Sequence, residues 1–147
     1  MTTIHASAVL VGAHAVLIRG AAGSGKSSLA YGLIRAGQAG ALPFARLVGD
    51  DRVHLQAAQG RLLVRPAAAL AGLIEIRGLG IRRVPFEPVA VVGLIVDLGA
   101  TDAERLPAAY SALAELAGVT LPRLGVAPGA DPFSVVFAAL RTAECGR

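Results

Sequence analysis

Gly20-Ala21-Ala22-Gly23-Ser24-Gly25-Lys26-Ser27 fits the pattern G-x-x-x-x-G-K-[ST]. No other feature constrains the fold as much, because this pattern requires a strand before it and a helix after it. Backbone N–H groups over residues 22–26 then converge on phosphate oxygens at a helix N-terminus, where the dipole also favours an anion. Lys26 is the only lysine among 14 basic residues. A chain that uses arginine everywhere else keeps a compact ammonium here, where a planar guanidinium does not substitute for a point charge aimed at the β/γ-phosphates. The pattern predicts a nucleoside triphosphate held by Gly20, Ala21, Ala22, Gly23, Ser24, Gly25, Lys26, Ser27 and Ser28, with the Ser27 hydroxyl on Mg²⁺.

The flanks supply the required context. Residues 4–11 and 15–19 are rich in Val, Leu and Ile around Gly12-Ala13-His14, which predicts a hairpin whose second strand enters the loop. Leu29, Ala30, Leu33 and Ile34 then recur at helical spacing, with Gly37 as the expected C-cap. Residues 46–49 predict a short buried strand ending in Asp50-Asp51. A second hairpin is expected over 53–56 and 61–65, and a central strand over 89–98. Between 102 and 119, Leu106, Tyr110, Leu113 and Leu116 sit at helical spacing. Residues 131–145 predict a terminal helix with Asp131 as N-cap and Pro132 at its first position. These elements predict one α/β domain over residues 1–147, with a strand–P-loop–helix core and a mixed rather than purely parallel sheet.

Composition narrows the class. The chain is 54% hydrophobic and 16% charged with a mean hydropathy of +0.62, yet no apolar run reaches the roughly 18 residues that span a bilayer. The longest, residues 4–18, is interrupted by His5, Gly12 and His14 and lacks the pattern of a signal peptide. A cytoplasmic protein is expected, with surplus apolar surface that favours homo-oligomers. The net charge is +4, but the arginines are scattered without interleaved aromatics, and the longest basic run is Arg82-Arg83. A face that steers an anionic ligand or acidic partner fits this better than nucleic acid. Cys145 is the only cysteine, which excludes a disulfide framework and a CxxC metal site.

Asp50-Asp51 should lie at the carboxyl end of a strand beside the loop, where one carboxylate orders Mg²⁺ and the other accepts a proton from an attacking hydroxyl. Glu75 and Arg77 stand in an apolar stretch closed by Gly78 and Gly80. Two charges expected to be buried there must pair, meet a metal or contact a ligand. His14, in the expected turn, and His54, on the second hairpin, read as structural.

Glu75-Ile76-Arg77-Gly78-Leu79-Gly80-Ile81 resembles the signature of the HPr kinase/phosphorylase family, P-loop protein kinases of the bacterial phosphotransferase system. The family's other features appear in the same order as Ile4-His5-Ala6, Arg35-Ala36-Gly37 and Leu47-Val48-Gly49-Asp50-Asp51. The resemblance implies that Lys26 binds phosphate, that Ser27 and Glu75 hold Mg²⁺, and that Arg77 belongs to the catalytic set. It further implies that the aspartate pair contains the base, with Asp51 favoured, and that His5 is the active-site histidine beside it. The implied activity is ATP- and Mg²⁺-dependent phosphorylation of a serine on an HPr-like carrier by a hexamer, with inorganic phosphate driving the reverse reaction.

Three departures accompany it. Full-length members carry an extra N-terminal domain, whereas this sequence begins almost directly at the catalytic domain, as in short alphaproteobacterial-type forms. Arg82-Arg83-Val84-Pro85-Phe86-Glu87-Pro88 stands where a longer glycine-rich loop with a catalytic arginine is expected. Pro122-Arg123-Leu124-Gly125 and Ala127-Pro128-Gly129-Ala130 stand in place of a Gly-Arg-Asn segment tied to dephosphorylation. The alternatives are a small-molecule P-loop kinase of the shikimate-kinase type and a nucleotide-sensing regulator without turnover, which the shortened arginine loop would suit.

Overall fold

A computed structural model describes residues 1–103 and 112–142. Among these, strands β1 (Thr2–Ile4), β2 (Ser7–Val11) and β3 (His14–Arg19) precede helix α1 (Lys26–Gln38). Then come β4 (Ala45–Gly49), β5 (Val53–Ala58), β6 (Arg61–Pro66), a 3₁₀ turn (Ala68–Leu70), β7 (Leu73–Ile76) and β8 (Gly80–Arg83). Strands β9 (Ala90–Leu98), β10 (Leu113–Leu116) and β11 (Val119–Val126) and helix α2 (Pro132–Arg141) complete the order.

The main sheet is mixed, as expected. Its spine runs β4-β2-β3-β9, with β2 antiparallel to both neighbours and β3 parallel to β9. One edge of β9 is taken by β3, so the other is shared: β6 pairs with its first residues and β11, in parallel, with its last. Beyond β6 the sheet continues through β5 to β1.

Both faces are buried, and β3 alternates between them with the period of a strand. Val16 and Ile18 join α1 and α2 in one core, while Ala15 and Leu17 face Val53, Leu55, Leu62 and Val64 in the other. Along β9 the parity flips. Val92 belongs to the second core, but Leu94, Val96 and Leu98 belong to the first. The register slips there, Ala15 opposing Val92 and Val16 opposing Leu94, so Gly93 is an extra residue that turns the end of β9 over. Since β2 reverses direction between them, β3, β4, β9 and β11 all end at one edge, the edge where open α/β sheets bind ligands.

Several expectations need correction. Residues 4–11 form two strands rather than one, because the chain changes partner at His5-Ala6: Ile4 pairs with Val53, but Ser7 with Ile18. His14 lies in β3, not in a turn. Gly37 is interior to α1, where a Cβ would stand 2.5 Å from that of Ala45; the left-handed residue after the helix is Gly40 (φ +79°). Residues 113–119 are not helical. Ala117 and Gly118 both take positive φ and turn β10 back onto β11 in a two-residue hairpin. Leu113 and Leu116 are strand residues, while Leu106 and Tyr110 lie outside the described residues. So does Cys145, and the described helix ends at Arg141. Finally, Glu75 and Arg77 are exposed, because β7 and β8 form a separate two-stranded sheet that rests on α1 through buried Ile74.

Candidate active site

The loop between β3 and α1 is held by its glycines. At Gly20 a Cβ would sit 2.4 Å from Ser24 Oγ and 3.1 Å from Leu98 Cβ, so only glycine permits this approach. Gly25 caps α1 at φ +99°, a conformation that side-chain-bearing residues avoid. Lys26 opens the helix with its ammonium turned back over the loop, where Nζ donates to the carbonyls of Gly20 (2.9 Å) and Ala21 (3.2 Å).

Beside the loop lies a cavity of about 220 Å³. It is lined by Ala22, Gly23, Gly25 and Lys26 of the loop, by Ser27 and Ser28 of the first helical turn, and by Asp51, Glu75 and Arg77. Residues from three distant segments thus meet, including the β7–β8 hairpin that carries Glu75 and Arg77. His5 is exposed on the bend between β1 and β2 and does not line this cavity. Gly20 and Ala21 contribute through their contacts with Lys26.

The two aspartates differ. Asp50 is 4% exposed, and its carboxylate accepts from Ser7 Oγ (2.5 Å), from Ser27 Oγ at both oxygens (2.8 Å each) and from the Glu75 N–H (3.1 Å). It ties β2, α1 and β7 to the end of β4. Asp51, by contrast, is exposed and lines the cavity, with its backbone at φ +68°. Asp tolerates that left-handed conformation better than most residues, at about 1–2 kcal/mol.

A second carboxylate centre sits at the same sheet edge. Asp97 receives Arg19 Nε (2.7 Å) and Nη2 (2.9 Å) together with Arg123 Nε (2.6 Å), and Arg123 also reaches Asp102 through both terminal nitrogens (3.0 Å each). Burial alone would raise the Asp97 pKa, but the hydrogen bonds and charges of Arg19 and Arg123 outweigh it and hold the carboxyl below its ordinary value. Asp102 first, then Asp97, raise the Arg123 pKa. Pro122-Arg123-Leu124-Gly125 is therefore β11 backbone with one arginine in this cluster. Neither Asp97 nor Ser7 belongs to a recognisable motif in the sequence. The available signal was an acid closing an apolar strand, which needs a partner.

Residues 1–141 match the family described as HPr Serine kinase C-terminal domain. The HPr kinase/phosphorylase of Clostridium tetani is 38% identical over 84 residues, 57% of this chain and 25% of that protein. That of Streptococcus thermophilus is 42% identical over 81 residues, 54% of this chain and 24% of the relative. The matched part is thus about a quarter of these curated relatives' length. The solved Hpr(Ser) kinase/phosphatase from Coxiella burnetii aligns with a TM-score of 0.76 at 24% identity, over 96% of this chain and 95% of that one. At that identity, the likeness establishes the mixed α/β fold.

Proposed function

This chain belongs to the HPr Serine kinase C-terminal domain family, and from that premise we propose that it transfers the γ-phosphoryl group of ATP to a serine hydroxyl of an HPr-like carrier protein. One observation carries the reading: Lys26, Ser27, Asp51, Glu75 and Arg77 surround a single cavity at a glycine-rich loop. Phosphoryl transfer asks a protein chiefly for positioning and charge stabilisation, and this set supplies both.

The loop amides and Lys26 bind and orient the phosphates, the ammonium exchanging its loop carbonyls for phosphate oxygens. Arg77 adds a second cation at the cavity wall. Asp51 accepts the serine proton as the serine Oγ–P bond forms and the bond from the γ-phosphorus to the bridging oxygen breaks, leaving ADP. Asp50, buried and already hydrogen-bonded, fixes Ser27 and the hairpin and leaves Asp51 as the base. His5, on the bend before β2 and outside the cavity lining, has its place in the catalytic set from the resemblance alone. In the reverse reaction a phosphate oxygen attacks the phosphoserine phosphorus, the serine Oγ–P bond breaks to give pyrophosphate, and Asp51, carrying the proton, returns it to the serine Oγ.

The donors also suit Mg²⁺, which takes one or two carboxylates together with substrate phosphates rather than an all-protein cage. Ser27 and Glu75 would hold it; bound there, it neutralises phosphate charge. Among the described residues no preassembled cluster of three His, Cys, Asp or Glu is present, which agrees with a site completed by the nucleotide.

Assembly of several copies, up to the hexamer implied by the resemblance, belongs to the same proposal. Leu79 (58% exposed) and Ile81 (68%) present apolar surface on the β7–β8 hairpin. A cytoplasmic location follows from the proposed substrate; no described helix is long and apolar enough to cross a membrane.

Incubation with γ-labelled ATP, Mg²⁺ and a purified HPr-like carrier tests the reading. Label on a carrier serine supports it. Label only on a small metabolite would assign the chain to small-molecule kinases, and nucleotide binding without transfer would make it a sensor.

A further inference from the structure

A second cavity, of about 250 Å³, adjoins the first at the loop. It shares Gly23, Gly25, Ser28 and Arg77 with that cavity but not Asp51 or Glu75. Its far wall comes from the start of α2, with Asp131 and Phe133. Taken as one, the two cavities fall in the range of about 300–1,000 Å³ of small-ligand sites. We infer that the nucleoside half of the triphosphate binds in this second cavity, between the glycine loop and the start of α2, with Phe133 as its apolar wall and Asp131 as acceptor for ribose hydroxyls. The inference rests on the triphosphate reading above.

Three observations lead here. The first concerns direction. The attacking and leaving oxygens of a transferring phosphoryl group lie roughly in line. An acceptor serine must reach Asp51, which lines the first cavity only; the second cavity adjoins the first at Gly23, Gly25 and Arg77 but lacks Asp51, and so is the space left to the nucleoside.

The second concerns chemistry. Phe133 is stacked on Phe137, ring centroids 5.3 Å apart, and so presents a fixed aromatic surface, as a base requires. Asp131 precedes α2 and accepts from Ser134 Oγ, which leaves its carboxylate with further acceptor capacity. Arg77, on both cavities, stands where the phosphate chain would pass from one to the other.

The third is an unfinished bond. Ser24 Oγ is buried beside this cavity with no hydrogen-bond partner among the described residues. Buried hydroxyls are ordinarily paired, and a ligand rich in hydroxyls and ring nitrogens would pair this one.

Calorimetric titration of the purified protein with ATP and, separately, with inorganic tripolyphosphate tests the inference without relying on turnover. Tripolyphosphate carries the phosphate contacts but no nucleoside. Phe133→Ala is expected to weaken ATP roughly tenfold or more, with tripolyphosphate affinity unchanged. Asp131→Asn, which keeps an acceptor for Ser134, is expected to weaken ATP alone by a few-fold. If Phe133→Ala disturbs folding, tripolyphosphate binding falls too, and Asp131→Asn then decides. Equal loss of both ligands in Asp131→Asn, or unchanged ATP affinity there, would overturn the inference and leave the triphosphate reading standing. Wild-type protein that binds neither ligand would overturn both.

Discussion

Asp50 and Asp97 close apolar strands at the same sheet edge, but their surroundings are opposite. Asp97 is clamped by Arg19 and Arg123, its charge matched by two guanidinium groups within 3 Å. Among the described residues Asp50 accepts from two hydroxyls and one amide, and a second carboxylate, Asp51, follows it onto the cavity wall. The first arrangement is complete and gains nothing from a ligand. The second gathers negative charge and hydroxyls around a space lined by Lys26 and Arg77, which on the proposed reading an anion and its cation complete. On that reading the difference separates a structural carboxylate from a working pair.

Substitutions at the two centres should separate accordingly. Lys26→Ala should have the largest effect: phosphoryl transfer to the carrier falls by more than roughly 10³-fold, and turnover near wild type would remove the basis for assigning the loop to ATP. Asp51→Asn should slow transfer by about 10²–10⁴-fold while thermal unfolding barely moves. Glu75→Ala should raise the Mg²⁺ concentration for half-maximal activity about tenfold; an unchanged Mg²⁺ titration would take Glu75 out of the site.

Asp97→Asn should show the reverse profile. With two arginines left short of their partner, unfolding free energy falls by about 2 kcal/mol, roughly 5–10 °C in midpoint, and turnover changes by only a few-fold. The folded pKa of Asp97 is lowered, so its stabilisation is present above the unfolded value of about 4 and is lost as pH falls through the folded value. The wild type should therefore lose stability more steeply than Asp97→Asn below about pH 4, as followed by unfolding midpoints across pH.

What the sequence made legible follows the range of the interactions. The glycine loop with its strand and helix, and the aspartates after β4, are local patterns, and each expected element is present. The hairpin of β10 and β11 escaped because Leu113 and Leu116, three apart, suit a helix until Ala117 and Gly118 are seen to turn the chain. Glu75 and Arg77 were expected to be buried because their neighbours are apolar; that the hairpin stands away from the main sheet is a tertiary fact. The Asp97 cluster joins residues 26 and 78 positions apart, a pairing that no local spacing encodes.

The most direct test sets the two centres side by side: transfer of γ-labelled phosphate from ATP to a serine of an HPr-like carrier, with wild type, Asp51→Asn and Asp97→Asn compared at a temperature where all three are folded. Label should appear on serine with wild type and Asp97→Asn, and be nearly absent with Asp51→Asn although that variant still binds ATP. Equal labelling by Asp51→Asn and wild type would contradict the assignment of the base and of the cavity as the place of transfer.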